Sequence, residues 1–188
     1  MPTFDFDPPS VQDNFPFRIL RCPALGALDA IATCSRLIGT WTHFAQNRTV
    51  PCEGQDACSL CAEGFSKRWH AYLSALIPKT LEHILFECTA SASEAFRTYQ
   101  SVHSTLRGCY FRAERPSHKP NGRVIIKCHP ADLTGRFLPP EPDVHRLLCH
   151  LWNVQYDPND LGPSCKPIGT DVHTGNGRRR IAKADNRP

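Results

Sequence analysis

Apolar and polar residues alternate with a period of two in several stretches of the chain, and the clearest period near 3.6 occurs once. Between residues 67 and 77, Trp69, Ala71, Leu73, Ala75 and Ile77 fall on one side and Arg68, His70, Tyr72 and Ser74 on the other. This predicts a half-buried strand. Pro78-Lys79-Thr80 reads as a turn, and residues 81–89 as a second strand with Ile84, Phe86 and Cys88 on one face and His83 and Glu87 on the other. Residues 109–115 and 123–129 read as two more strands, joined by a loop ending in Asn121-Gly122, a pair that tolerates positive φ in turns. Earlier, residues 17–34 alternate poorly, with a short strand at 17–22, and residues 35–44 read as a strand.

Helical spacing appears at Ala92, Ala95, Phe96, Tyr99, Val102, His103 and Leu106. Ser91-Ala92-Ser93-Glu94 reads as a capping box, and Gly108 as the stop. Asp143 can cap a last short helix carrying Val144, Leu147, Leu148, Leu151 and Trp152. Three strands, a helix and two strands predict a mainly β, α+β domain. The expected form is a five-stranded barrel like the oligonucleotide-binding (OB) fold. It spans residues 17–157, with an insert at 45–66 between its first two strands, one helix between strands 3 and 4, and a short C-terminal helix. An α+β sheet with one packed helix is the alternative. Residues 1–16, acidic and Pro-rich with Phe4, Phe6 and Phe15, read as an arm; residues 158–188 read as a disordered basic tail.

The insert carries the sharpest chemistry. His43, Cys52, Cys58 and Cys61 lie within nineteen residues, with Cys58-x-x-Cys61 offering two thiolates from one tight turn. Three cysteines and a histidine form the ligand set of a structural, tetrahedral Zn²⁺ site with no open position. His70 competes with His43 for the fourth place. A redox pair or a disulfide is the alternative use of these cysteines, but Gly54, Gly64 and polar neighbours fit a zinc knuckle better than a thioredoxin-like turn. Cys128-His129 and Cys149-His150 are raw material for a second metal site.

Composition adds three points. The opening Met-Pro-Thr-Phe-Asp-Phe-Asp is acidic where a secretory leader is basic, and no apolar run reaches the ~20 residues that span a bilayer. A cytoplasmic protein with reduced cysteines is expected. The net charge of +4 sits in the tail (Lys166, Arg178, Arg179, Arg180, Lys183, Arg187), leaving residues 1–160 neutral overall. Within them charge is segregated: residues 97–136 are strongly basic, whereas Asp5, Asp7 and Asp13 face no basic residue in the arm.

The stretch Arg48-Thr-Val-Pro-Cys-Glu-Gly, Cys58-x-x-Cys61-x-x-Gly64, Arg68-Trp69-His70-x-Tyr72-Leu73, with Leu106-Arg-Gly-Cys and Pro120-Asn-Gly-Arg, resembles a family of small uncharacterised bacterial proteins. The resemblance covers most of residues 40–155 and implies no activity. In plan, a barrel with a Cys/His zinc insert is also similar to some phage single-stranded DNA-binding proteins. Those usually end in an acidic tail, whereas here the acidic segment comes first.

The leading functional expectation is a non-enzymatic binder of single-stranded DNA or RNA. Such sites combine a basic groove with rings on which bases stack. Tyr110 and Arg112 share one strand face, Arg123 and Lys127 share a face of the next, and Tyr72 sits with Arg68. The acidic arm is read as a mimic of a nucleic-acid strand. A zinc-stabilised interaction adaptor, docking a protein partner through the C-terminal helix, is the alternative. No nucleophile elbow, phosphate loop, His-Glu-x-x-His or deaminase pattern is present, so no enzyme is expected.

Overall fold

The structure is a computed structural model and describes residues 17–54, 57–135, 137–152 and 154. The arm and the basic tail lie outside the described residues. The elements are β1 (Ile19–Arg21), β2 (Ala27–Ala32), β3 (Ile38–Ala45), β4 (Arg48–Pro51), α1 (Ser59–Ala62), β5 (Lys67–Ile77), β6 (Glu82–Thr89), α2 (Ala90–His103), β7 (Cys109–Glu114), β8 (Ile125–Pro130) and α3 (Val144–Trp152). Among the described residues no helix is long and apolar enough to cross a membrane.

The strands form one open, mainly antiparallel sheet in the order β1-β6-β5-β2-β7-β8. The eleven residues of β5 carry two further partners in succession. Leu76 and Ala75 pair with Ile31 and Ala32 of β2, while Tyr72 back to Lys67 pair with Ile38 to His43 of β3. The expected five-stranded barrel does not close, and the reason is β1. Its three residues run parallel to Leu85, Phe86 and Glu87 on β6. The other edge of β6 is taken by β5 from Glu82 to Thr89. No edge of β6 is left for a closing strand, and β8 pairs with β7 alone.

Both faces of the sheet are covered. On one, Phe96 of α2 packs edge-on against Phe111, with ring centroids 5.0 Å apart, and Phe86 lies 5.0 Å from Phe111. Leu73, Ala75, Ile84 and Cys109 complete this core. On the other, α3 buries Val144 and Leu148, and Trp152 meets Tyr72 edge-on at 5.4 Å. The polar side of β5 therefore faces a second buried layer instead of solvent. Burial on both faces also explains why β2, nearly all apolar, shows no alternation.

The helix boundaries differ from the expected ones. Thr89 caps α2, its Oγ1 accepting from the Ala92 N–H at 3.4 Å. Glu94 pairs with Arg97 at 2.8 Å, so Ser91 and Glu94 do not form a capping box. The helix ends when Ser104 turns left-handed (φ 62°), because Leu106 must leave it to enter the core. Before β8 the left-handed residue is His118, not Asn121 or Gly122. Asp143 does cap α3, accepting from the Arg146 N–H at 3.0 Å.

Candidate metal centre

Local backbone geometry gathers the four candidate ligands. Gln46 and Asn47 both adopt positive φ (50° and 60°), giving a two-residue hairpin that returns β4 alongside β3. The Cys52 N–H then donates to the Trp41 carbonyl at 2.8 Å, holding Cys52 close to His43. Cys58 is the N-cap of α1 and Cys61 lies one turn on, so the two thiols project from the same side. Gly64, at φ +83°, reverses the chain into β5.

The donor atoms of His43, Cys52, Cys58 and Cys61 all lie within 4.8 Å of one another. Cys52 Sγ is 3.6 Å from Cys61 Sγ, and His43 Nε2 is 3.5 Å from Cys58 Sγ and 3.4 Å from Cys61 Sγ. Zinc–sulfur bonds of about 2.3 Å and zinc–nitrogen bonds of about 2.0–2.1 Å at tetrahedral angles require edges of about 3.8 Å and about 3.6 Å. These three of the six edges match within about 0.2 Å and the rest stay within 4.8 Å, so the four residues can hold a metal ion, consistent with zinc. The outer ring nitrogen agrees: His43 Nδ1–H donates to the Ser66 carbonyl at 3.3 Å, leaving Nε2 as the lone-pair donor. His43 is 1% exposed, as a fixed ligand requires.

The thiols are electrostatically unequal. The Cys61 backbone N–H, helped by the amides of Glu53 and Leu60, pulls Cys58 down to about 6. Burial, together with its neighbours Cys52 and Cys58, pushes Cys61 up to about 11. One thiolate is ready and the next resists until a cation neutralises the pair. With four protein donors the arrangement suits a structural ion and leaves no place for a metal-bound water.

His70, the rival fourth ligand, is held elsewhere: its Nδ1 lies 2.6 Å from Thr42 Oγ1 and its Nε2 3.9 Å from Glu87. Among the described residues no other three His, Cys or acidic side chains converge, so Cys128 and Cys149 form no second centre. All nine described cysteines are free thiols, which removes the disulfide reading for them.

The nucleic-acid candidates are scattered. Tyr72 is fully buried and donates its hydroxyl to Glu87 at 3.2 Å, so it offers no ring to a base. The cause is α3, which covers the face that alternation leaves polar. Tyr110, Arg112 and Lys127 do share a sheet face, but Asp29 on β2 and Glu114 neutralise it. Asp29 accepts from Tyr110 at 2.7 Å and from Arg112 at 3.1 Å, and Glu114 lies 3.6 Å from Arg112 and 4.0 Å from Lys127. Tyr110 is also stacked on His129 at 4.6 Å. Arg68 and Arg123 are exposed and far apart, Arg68 on β5 in the middle of the strand order and Arg123 just before the edge strand β8.

Sequence reasoning notes Trp41, Trp69 and Tyr72 on the strands flanking the knuckle, but leaves the aromatic rim of the metal lobe out of the candidate site. Trp41, Phe44 and Phe65 are 48%, 59% and 44% exposed, and Lys67 Nζ lies 5.4 Å from the Trp41 ring centroid. The signal was the adjacency of these rings to the ligands and to Gly64. No family model, no curated protein and no solved structure matches the chain.

Proposed function

We propose that the chain is a non-enzymatic protein that binds single-stranded nucleic acid on a zinc-stapled lobe. The observation that carries the reading is the half-exposed Trp41 with the Lys67 ammonium over its ring. A ring beside a cation is what a stacked base and its phosphate require, and stacking contributes about 1–3 kcal/mol per base. Arg68 and the exposed Phe44 share the opposite face of β3 and β5, since Thr42 stands opposite Arg68 in the register. The site thus moves from β7 and β8, where carboxylates balance the cations, to the metal lobe. The OB likeness supports the same place. With β2, β5, β6, β7 and β8 as the five strands of a partly open barrel, the zinc insert lies between strands one and two, in a loop that binds oligonucleotides in that fold.

The test is fluorescence anisotropy of the zinc-loaded chain with labelled single-stranded and duplex oligonucleotides between about 50 and about 200 mM salt. Binding that prefers single strands, weakens with salt and falls in Trp41→Ala and in Lys67→Ala/Arg68→Ala is expected. Absence of binding at low salt, or affinity unchanged in both variants, would overturn the proposal.

The expected docking face of the C-terminal helix is taken, since α3 buries Val144 and Leu148 and sets Trp152 against Tyr72. One observation favours an adaptor that docks elsewhere. Ile31, Leu76, Pro78, Leu81, Leu133 and Phe137 line an apolar groove of about 400 Å³, with Leu81 74% and Phe137 99% exposed. In that case the partner binds irrespective of salt, and Phe137→Asp, not Trp41→Ala, abolishes it.

A further inference from the structure

We propose that the cleft between β1, β4 and the end of α3 is an anion-docking site whose occupant is this chain's own acidic arm, residues 1–16. The cleft holds about 560 Å³ and is lined by Phe17, Arg18, Arg21, Arg48, Glu87 and Trp152 among others. Two of its donors are unspent. Arg48 is exposed and has no ion-pair partner among the described residues. Trp152 Nε1–H is buried with no hydrogen-bond partner among the described residues. The carboxylate in the cleft is already neutralised, since Glu87 is held by Arg21 at 2.6 Å; Arg18 is paired with Glu82 at 2.5 Å. A guanidinium and a buried indole N–H, both without a partner among the described residues, call for an acceptor bearing negative charge, a carboxylate or a phosphate. Phe17 and Trp152 add apolar wall, which favours an anion carried next to an aromatic ring.

The choice of occupant follows from where the chain enters and leaves the cleft. Phe17 and Trp152 both line it, so residues 1–16 begin at its edge and residues from 155 onward begin close by. The two flanks differ in charge. Residues 1–16 hold Asp5, Asp7 and Asp13 and no Lys or Arg, whereas residues 155–188 are net basic. Only the first complements a cleft rich in donors. Reach is ample, because Asp13, four residues before Phe17, commands up to about 14 Å of extended chain. Phe15 stands between them and brings a ring to the apolar wall. The inference does not depend on nucleic-acid binding.

The test uses the full chain, with the indole N–H groups of its three tryptophans followed by ¹⁵N NMR and Trp152 assigned through Trp152→Phe. In the full-length variant Asp5→Asn/Asp7→Asn/Asp13→Asn, the Trp152 N–H is expected to exchange with solvent about tenfold faster and to shift upfield, while Trp41 and Trp69 stay put. Arg48→Glu should do the same, and combining it with Asp5→Lys/Asp7→Lys/Asp13→Lys should restore protection. A Trp152 signal indifferent to the arm's charges would overturn the proposal. So would protection that grows with protein concentration, which assigns the cleft to a second copy's arm. Protection that appears only on adding oligo(dT) or inorganic phosphate would overturn it in favour of a phosphate ligand.

Discussion

Replacing Cys58 with serine should cost the chain both its metal and the fold of the knuckle while leaving the sheet intact. Residues 52–66 have little of their own to hold them. Helix α1 buries none of its side chains, and six backbone hydrogen bonds run among the described residues of the segment. At about 1 kcal/mol net each, these supply about 6 kcal/mol. Ordering fifteen backbones costs at least about 15 kcal/mol. The shortfall of roughly 9 kcal/mol is close to the lower end of what a structural zinc site supplies, about 10–16 kcal/mol at neutral pH. A neutral hydroxyl in place of the most acidic thiol removes that supply. The assay is metal content by native mass spectrometry with hydrogen exchange of peptides from the knuckle and from β5 and β6. Wild type should carry one zinc per chain. The variant should carry none, with knuckle exchange near the rate of an unfolded chain and β5–β6 still protected. A variant that keeps one equivalent of zinc and a protected knuckle would refute the reasoning.

Three further outcomes are expected. Gly39→Ala would place a Cβ 1.8 Å from Trp69 Cζ2, so the indole must move; overpacking of this kind costs about 1–3 kcal/mol, and Tm should fall by several degrees. Arg21→Ala strips Glu87, whose side chain is 3% exposed, of a guanidinium that is itself half exposed. A loss of about 2 kcal/mol is expected in urea denaturation, most of it recovered by adding Glu87→Gln, which needs no counter-charge. Alkali should destabilise the fold, because burial pushes the Cys88 thiol up to about 12 from an ordinary 9.0 and moves Tyr72 upward too. The folded chain keeps protons that the unfolded chain sheds, so this stability is whole below about pH 9 and declines by about 1.4 kcal/mol per pH unit above it for Cys88 alone. Cys88→Ala should flatten the fall of the urea midpoint between pH 9 and 11.

Much of this was legible in the residues, and the misreadings have physical causes. Alternation placed β5 and β6 almost to the residue, because each has one face packed under α2 and hydrogen bonds along most of its length. The convergence of His43, Cys52, Cys58 and Cys61 was legible because thiolate and imidazole at those spacings leave few other uses. Tyr72 was misassigned because alternation distinguishes the two sides of a strand but cannot say that α3 covers the polar side. There Glu87 accepts from Arg21 and Tyr72, and Ser74 accepts from Thr33, instead of facing water. Closure of the sheet was misjudged because it turns on three residues, Ile19 to Arg21, finding β6 from sixty-odd positions away. The basic stretch misled for the same reason: Asp29, far away in sequence, stands opposite Arg112 in the register.

An open sheet invites a stranger's strand onto its rims, and this one is blunted at each. β1 offers three residues of edge and β4 four, the last of them Pro51, which has no N–H to give. β8 ends in Pro130 and carries Lys127 outward. Short edges, proline and lysine are the devices by which β proteins refuse edge-to-edge growth into aggregates. Substituting Pro51 or Pro130 would therefore do more than disturb a turn: it would lengthen a template on which copies of the chain could stack.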